Sequence, residues 1–332
     1  MNQVLISVIV PTHNDGPTLE KCIRSLFGQS WSEVEVIVVN DCSTDQTMDT
    51  LHRLSSEFPR LRAASTEVKS GAAAARNIAF SMARGEVVAL IDGDMWAPPT
   101  WVEQLVAPIL KGEVDVTGGP DEVPSTAPLS SRCIGYSMDS VLTNGGLRRG
   151  DTALVTYLPG TGNMAIRGSL LSRSGLFDEE FHDTGEDKEW LYRVKEAGAR
   201  IQYLPEALAW HERRPDIWLH AKKQVLSGRR RFDIWEKDRS TFEVAHLAPS
   251  VLIVFLLTAW SSLATRPVWW AVVALGTCLV FVDCYKGAKE FGDPRAFFLL
   301  LVTSSVIPFG YGLGILWRAA ERLLETVFGQ KR

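Results

Sequence analysis

Cysteine is scarce in this chain: five residues (Cys22, Cys42, Cys133, Cys278, Cys284) among 332, with no CxxC pair. That argues against a disulfide framework and against a cysteine-rich zinc site, and reduced thiols in a cytosolic domain are the simplest expectation. A basic surface is missing too. The whole chain carries −4, and from His246 onward eight Lys/Arg against five Asp/Glu give +3, so residues 1–245 carry −7 by difference. An acidic domain of that kind is not a nucleic-acid binder, which needs a basic face. The first residues lack a charged stretch followed by a long apolar run and a cleavage site, so no signal peptide is expected and the acidic part is placed in the cytosol. Between Pro11 and Thr18 there is no Lys or Arg, which leaves a nucleotidyltransferase without its basic triphosphate loop. Long charge-free apolar stretches belong to the last 87 residues.

What is present begins with short apolar runs alternating with helical patterns. Leu5–Val10 ends at Pro11 and reads as a first strand; Val34–Val39 reads as a second. Thr18 to Gln29 carries helical spacing (Leu19, Ile23, Leu26, Phe27), Thr44 to Phe58 opens on a Ser/Thr/Asp-rich cap, and Ala72 to Ala83 is an Ala-rich helix closed by Gly85. Val87-Val-Ala-Leu-Ile91 is a further strand. Strands and helices of these lengths imply parallel βαβ units. From about Gly118 to His211 the pattern is less regular, with a helix at Glu186–Ala197 and a strand at Arg200–Leu204.

The C-terminal third differs. Trp218, Ala221, Val225, Gly228, Phe232 and Trp235 recur at three- and four-residue steps, one apolar stripe on a helix. Lys222, Lys223, Arg229, Arg230 and Arg231 lie mostly off that stripe. A basic amphipathic helix with Trp on its apolar side suits an anionic membrane surface, although Gly228 weakens the helix. Leu247–Thr265 holds 19 residues without a formal charge, Val268–Val282 holds 15 and Ala296–Trp317 holds 22. A full span needs about 20, so the expectation is a membrane domain with about three segments, at 247–265, 268–285 and 296–317. Arg266-Pro267 allows only a tight turn. Three full spans would put Arg318, Arg322, Lys331 and Arg332 outside, against the positive-inside tendency. Pro308, Gly310, Gly312 and Gly314 could instead break the last segment into a re-entrant hairpin. The domain plan is 1–214 catalytic, 215–245 an amphipathic interface helix and 246–332 membrane.

Chemistry concentrates at strand ends. Asp92-Gly-Asp94 follows the strand at Val87–Ile91, where ligands of open α/β sheets bind. Two carboxylates so close repel unless a cation sits between them. A divalent metal carrying a diphosphate answers that need, because hard cations share oxygen ligands with phosphates. Asn40-Asp41-Cys-Ser-Thr-Asp45 ends the second strand, Gly71-Ala-Ala-Ala-Ala-Arg76-Asn77 opens a helix, and Gly185-Glu186-Asp187 and His211 come later. Taken singly each has a plainer explanation: Asp92-Gly a solvated turn, Asp41 a helix cap, Arg76 a surface charge, Glu186-Asp187 a favourable helix start, His211 a satisfied core histidine.

Their order and spacing together resemble the inverting family 2 glycosyltransferases over residues 5–212. Ser7-Val-Ile-Val-Pro11-Thr12-His13-Asn14 is similar to that family's first strand and loop, which more often has Tyr at position 13. Val39-Asn40-Asp41-Cys-Ser-Thr-Asp45, Gly71 through Arg76-Asn77, Asp92-Gly-Asp94 and Gly185-Glu186-Asp187 are similar to its nucleotide, Ala-Arg-Asn, metal and base motifs. The C-terminal part loosely resembles membrane-anchored members, including the ExoA-like succinoglycan glucosyltransferases. The Gln-x-x-Arg-Trp motif of processive synthases is absent, since Gln224 is followed by Val-Leu-Ser-Gly. A channel-coupled polymerase is therefore not expected.

The resemblance implies a GT-A fold, a Rossmann-like mixed α/β sheet flanked by helices, followed by the interface helix and membrane helices. It implies a nucleotide site at Pro11, Thr12, Asn14, Asp41, Arg76 and Asp92. Mn²⁺ or Mg²⁺ would sit on Asp94 and Asp92 with His211. Asp187 would be the general base and Glu186 would orient its loop or the acceptor. Asn163, after Gly-Thr-Gly, would line the acceptor pocket, and Trp218, Arg229, Arg230, Arg231 and Trp235 would meet acceptor or lipid. The activity implied is inverting transfer of a sugar from a UDP- or GDP-type donor to a lipid-linked acceptor, in polysaccharide or glycolipid assembly, by an integral membrane protein. Transfer directly to a polyprenyl phosphate is the near alternative, and a non-catalytic nucleotide-binding scaffold of a membrane synthase complex is the distant one.

Overall fold

The computed structural model describes residues 4–144, 157–182, 184–261 and 265–329. Among these, 4–125 and 157–213 form one compact unit, and 126–144 with 214–329 form a second.

The first unit runs β1 (Ile6–Thr12), α1 (Gly16–Phe27), β2 (Val34–Asn40), α2 (Thr47–Glu57), β3 (Leu61–Ser65), α3 (Gly71–Met82), β4 (Val87–Ile91), β5 (Met95–Trp96), α4 (Trp101–Leu110), β6 (Val116–Gly118) and β7 (Asp121–Glu122). After α5 (Leu129–Asp139) and α6 (Val141–Asn144), which belong to the second unit, it resumes with β8 (Asn163–Arg167), α7 (Leu171–Ser174), α8 (Glu186–Glu196), β9 (Ile201–Tyr203) and β10 (Ala209–His211). Seven strands form a mixed sheet in the order β3-β2-β1-β4-β8-β6-β9, with β8 antiparallel to both of its neighbours. Every residue of β1, β2 and β4 is buried. Helices cover such strands on both faces, which is why they read as continuous apolar runs. Burial of each Val or Ile here is worth about 1.5–3 kcal/mol.

This topology places the site. From β1 the chain crosses to β2 and β3 on one side, then returns to β4 on the other. The switch point lies beside β1, and crevices open there at the carboxyl ends of the strands. Thr12 and Asn40 pair in register at the ends of β1 and β2, and Asp92 follows the last residue of β4. A small second sheet, β5-β10-β7, stands beyond Asp94.

The second unit adds α9 (Ile217–Lys237), α10 (Ala248–Thr258), α11 (Arg266–Phe291) and α12 (Arg295–Phe328). The expected three segments become one short helix and two long ones. α10 has 11 residues, and residues 262–264 of the 247–265 segment lie outside the described residues. α11 and α12 are long and apolar enough to cross a membrane. Arg266-Pro267 forms the first turn of α11, where a proline lacks nothing because that N–H has no helical partner.

α12 is one helix of 34 residues with Pro308 inside it, and no hairpin. Its glycines have another use. A Cβ on Gly314 would run into the Val225 carbonyl, one on Gly228 into the Tyr311 carbonyl, and one on Gly312 into the backbone of Pro249. Small residues let helix backbones approach closely, so the residues expected to break α9 and α12 instead seat them together. Arg229–Glu321 (2.9 Å), Arg318–Asp233 (2.6 Å) and Arg322–Glu236 (2.6 Å) continue the α9–α12 seam in charge. Lys331 and Arg332 lie outside the described residues. The α5 helix packs against the other end of α12, where Ser137 hydrogen-bonds Thr303 (2.6 Å) and Ser304 (3.1 Å).

Candidate active site

A cleft of about 270 Å³ lies at the carboxyl ends of β1, β2 and β4, bounded by Pro11, Thr12, Asp41, Arg76, Asp92, Asp94 and Glu186. These residues come from five separate motifs, brought together by the ends of β1, β2 and β4 and by helices α3 and α8. His13 and Asp15 complete the rim between β1 and α1. Asp15 accepts from the Thr12 hydroxyl (3.0 Å) and the His13 N–H (3.1 Å), so it shapes the loop after β1.

Asp41 is buried and already engaged. One oxygen accepts from the Ser70 N–H (2.7 Å) and the Thr66 hydroxyl (3.0 Å), the other from the Gly71 N–H (2.9 Å). A carboxylate offers about four lone-pair positions, and three are taken by the segment that leads from β3 into α3. The capping explanation is thus right in kind, but the helix served is α3, reached across the sheet. Gly71 takes φ +89°, and a side chain there would collide with the His182 carbonyl.

Arg76 holds the centre. Its side chain is 4% exposed, and it donates to Asp92 Oδ1 at 2.9 Å and to Glu186 Oε1 at 2.8 Å. Burial alone would lower its basicity, but Asp92 and Glu186 more than offset this and raise it. Arg76 therefore bridges two carboxylates, where a charged donor to the nucleotide was expected. Burial pushes the Glu186 carboxyl up, and neighbouring Asp187 adds to that against the pull of Arg76. The cleft is strongly negative. The Cys22 thiol beneath it is pushed well up, first by burial and then by Asp94, Asp92 and Asp15.

His211 on β10 stands 3.3 Å from Asp94 through Nε2 and 3.0 Å from Asp121 through Nδ1. Burial and Arg213 lower its pKa, but Asp94 and Asp121 outweigh them and raise it. Ligands cis to each other around a cation at about 2.1 Å are about 3 Å apart. The Asp94–His211 spacing therefore fits a small divalent cation. Among the described residues no three acidic, His or Cys side chains converge as a ready-made metal cage, so such an ion would take its remaining ligands from elsewhere, as a phosphate-sharing ion does.

Asp187 sits at the start of α8, its carboxylate accepting from the Lys188 N–H at 2.8 Å, and it is not among the residues bounding the cleft. Lys188 Nζ donates to the Leu158 carbonyl (2.8 Å) and fixes the loop that precedes Gly160-Thr161-Gly162. That loop abuts the site, since a Cβ on Gly162 would lie 2.9 Å from Asp92 Oδ2. Asn163 does not line an acceptor pocket. It is buried, receives Trp101 Nε1 at 2.7 Å and donates to the carbonyls of Pro120 and Ala207. Both of its amide N–H groups are engaged and it lies outside the cleft lining, so it ties the loop to the sheet. Asn14 takes φ +58° and accepts from the Thr44 N–H, as a turn residue outside the cleft lining.

The residues assigned to acceptor or lipid lie in the second unit and divide. Trp218 is 80% exposed, whereas Trp235 is buried against Phe232 and Phe242. Arg229 pairs with Glu321 and covers the Trp317 ring, Arg230 pairs with Asp233, and buried Arg231 donates to the Tyr311 hydroxyl. These arginines fasten α9 to α12 and to itself, and do not form an unengaged basic patch. Periodicity located the helix but did not distinguish a face against lipid from a face against another helix. Asp15, Asp121, Lys188 and Arg213 escaped notice because single charged residues in loops and short strands carry no periodic or motif signal.

A mixed sheet with a carboxylate-lined cleft at its switch point is the setting of a ligand-binding α/β protein. Residues 87–303 match the family described as Glycosyl transferase family group 2, and residues 7–165 match Glycosyl transferase family 2. The chain belongs to the family 2 glycosyltransferases, and it is a glycosyltransferase with a GT-A fold. It is 28% identical over 254 residues to glycosyltransferase AglE of Haloferax volcanii, a match covering 76% of this chain and 81% of that protein. A local match to the uncharacterized glycosyltransferase YibD of Escherichia coli, 34% over 111 residues, covers 33% of this chain and 32% of that one. In fold the chain is similar to the mannosyltransferase PcManGT from Pyrobaculum calidifontis in complex with GDP-Man and Mn²⁺, with a TM-score of 0.65 and 20% identity, covering 96% of this chain and 88% of that one.

Proposed function

We propose that the protein is a membrane-bound, metal-dependent, inverting glycosyltransferase that moves a sugar from a nucleotide-sugar donor to a lipid-linked acceptor. The observation that carries this reading is the cleft itself. Asp92 and Asp94 line a negative space at the switch point, with His211 3.3 Å behind Asp94, where a cation and a diphosphate satisfy each other. Asp94 and His211 would hold Mn²⁺ or Mg²⁺, with Asp92 alongside, fixed by Arg76. Such an ion, when bound, neutralises charge growing on the departing diphosphate. Asp41, which lines the cleft, accepts from the base of the nucleotide, and Pro11 and Thr12 shape its edge. Asp187 takes the proton from the acceptor hydroxyl as that oxygen attacks the anomeric carbon from the face opposite the diphosphate. Attack from that face inverts the centre. Glu186, anchored by Arg76, holds the start of α8 so that Asp187 faces the acceptor.

Membrane attachment is supported by α11, whose most apolar 18-residue window is 6% buried. Leu275, Leu279, Phe281 and Val282 stand exposed on it. An apolar surface of that extent in water is unfavourable and marks a membrane or partner contact. α12 packs against α5, α9, α10 and α11, and 39% of its most apolar window is buried, so α11 offers the larger unburied share to lipid. Anchoring raises the effective concentration of an acceptor that is itself in the membrane.

The test is nucleotide release by detergent-purified protein, with UDP- and GDP-sugars, with and without Mn²⁺ or Mg²⁺, and with and without lipid extract. Metal-dependent release of one nucleotide, raised by lipid, is the expected result. Release that ignores both metal and lipid would overturn the reading.

A further inference from the structure

Three adjacent strands carry a row of polar side chains that the cleft chemistry leaves partly unexplained. His211 on β10 pairs in register with Met95 of β5, one residue beyond Asp94, and Ala209 of β10 pairs with Asp121 of β7. The small sheet thus sets Asp94, His211 and Asp121 in sequence across its three strands. His211 lies between the two carboxylates, at 3.3 Å and 3.0 Å. Arg213 Nη2 lies 2.6 Å from the same Asp121 oxygen. The Asp121 and Arg213 side chains are 17% and 10% exposed, so this pairing is shielded from water.

We propose that Asp121, held by Arg213, is a positioning residue that fixes the ring of His211 for a divalent cation at Asp94. The proposal rests on the metal-dependent reading above. An imidazole has two nitrogens, and the bond made by one decides which is free to ligate. With Asp121 accepting the Nδ1–H, the Nε2 lone pair would be left for a cation beside Asp94. A carboxylate in that position also raises the donor strength of the ligating nitrogen, and loss of such a partner typically costs 10–100-fold in metal affinity. Arg213 donates to the same Asp121 oxygen and holds it in place. Its own bond to the shared oxygen moderates how strongly Asp121 draws on the histidine proton. A purely structural role, tying β7 to β10, would leave metal affinity untouched.

The experiment is Mn²⁺ binding to the full-length, detergent-purified protein, read by electron paramagnetic resonance with Mn²⁺ alone and with Mn²⁺ plus UDP or GDP. Asp121→Asn, which keeps the shape and loses the charge, is expected to weaken Mn²⁺ binding about 10-fold, and Asp121→Ala up to about 100-fold. The maximal transfer rate at saturating Mn²⁺ should stay within a few-fold of wild type, and the melting temperature of Asp121→Asn should be unchanged. If Asp121→Ala fails to fold, Asp121→Asn decides. Wild-type affinity in both variants, with wild type itself binding Mn²⁺, would overturn the positioning role and leave the metal reading standing. Absence of Mn²⁺ binding in wild type would overturn both.

Discussion

The two units use the same residue types to opposite ends. In the first, glycines let polar groups crowd around a space: Gly93 lies against Thr12 and Asp15, and Gly162 against Asp92. In the second, Gly228, Gly312 and Gly314 remove space, letting helix backbones meet. Arginines follow suit. Arg76 bridges Asp92 and Glu186 beside an open cleft, whereas Arg229, Arg318 and Arg322 bridge carboxylates along a closed helix seam. What differs is the backbone beneath them. Parallel strands that diverge at a switch point leave a crevice that side chains cannot fill, and packed helices leave none. An arginine–carboxylate bridge is therefore a mark of function only where the fold leaves room for a ligand.

The largest effect that tests this contrast is loss of the cation. Removal of divalent metal by a chelator, or Asp94→Ala, should abolish transfer in the first unit by at least about 100-fold, with Mn²⁺ restoring the chelated enzyme but not the variant. Steady-state nucleotide release measures it. Next comes Arg76→Met. It strands a largely shielded Glu186 and a one-third-exposed Asp92 and should cost about 1.5–3 kcal/mol of stability, seen as a lower unfolding midpoint in denaturant. Arg229→Met, in the more exposed seam of the second unit, should cost no more than about 1 kcal/mol by the same assay. Gly228→Leu should destabilise the second unit by about 1–3 kcal/mol or more, because the Tyr311 carbonyl occupies the space of a Cβ. Thermal melting in detergent reads that, and the variant should still bind nucleotide in the first unit.

The smallest effect concerns the far end of the same sheet. Glu35 is buried between the Ser7 hydroxyl (2.6 Å) and the Arg84 N–H (2.8 Å), with Arg62 at 3.1 Å. Burial pushes its carboxyl up, but those bonds outweigh it and hold it below the ordinary 4.5. A depressed carboxylate contributes stability that is present above its unfolded pKa and lost as pH falls through the folded value. Wild type should therefore lose stability below about pH 4.5 more steeply than Glu35→Gln, in denaturant titrations at pH 3 to 6. Nothing at this closed end should touch catalysis.

Much of the first unit was legible because its central strands and helices obey simple periods. β1, β2 and β4 announced themselves as apolar runs, and Asp41, Asp92 and Asp94 lay where such strands end. β3 was not legible. In Leu61-Arg-Ala-Ala-Ser65 only Leu61 is buried, so an edge strand offers no pattern. Nor was the antiparallel insertion of β8 between β4 and β6, a register choice made by tertiary packing. The role of Arg76 was visible only in part, because the two carboxylates it joins are 16 and 110 residues away in sequence. In the second unit the helices were legible and their partners were not. Hydropathy marks a surface as apolar, and it does not say whether lipid or glycine-lined helix will cover it. The short α5, far upstream, packs with the C-terminal helices, a long-range pairing with no local trace.

The central claim is that the cleft of the first unit binds the donor while Asp187 performs the proton transfer. The most direct measurement compares wild type with Asp187→Asn in two readouts on one preparation: affinity for the nucleotide-sugar in the presence of Mn²⁺, and rate of transfer to acceptor. The account predicts unchanged donor affinity and a rate lower by about 10²–10⁴-fold. A variant that binds donor normally and transfers at near wild-type rate would contradict it.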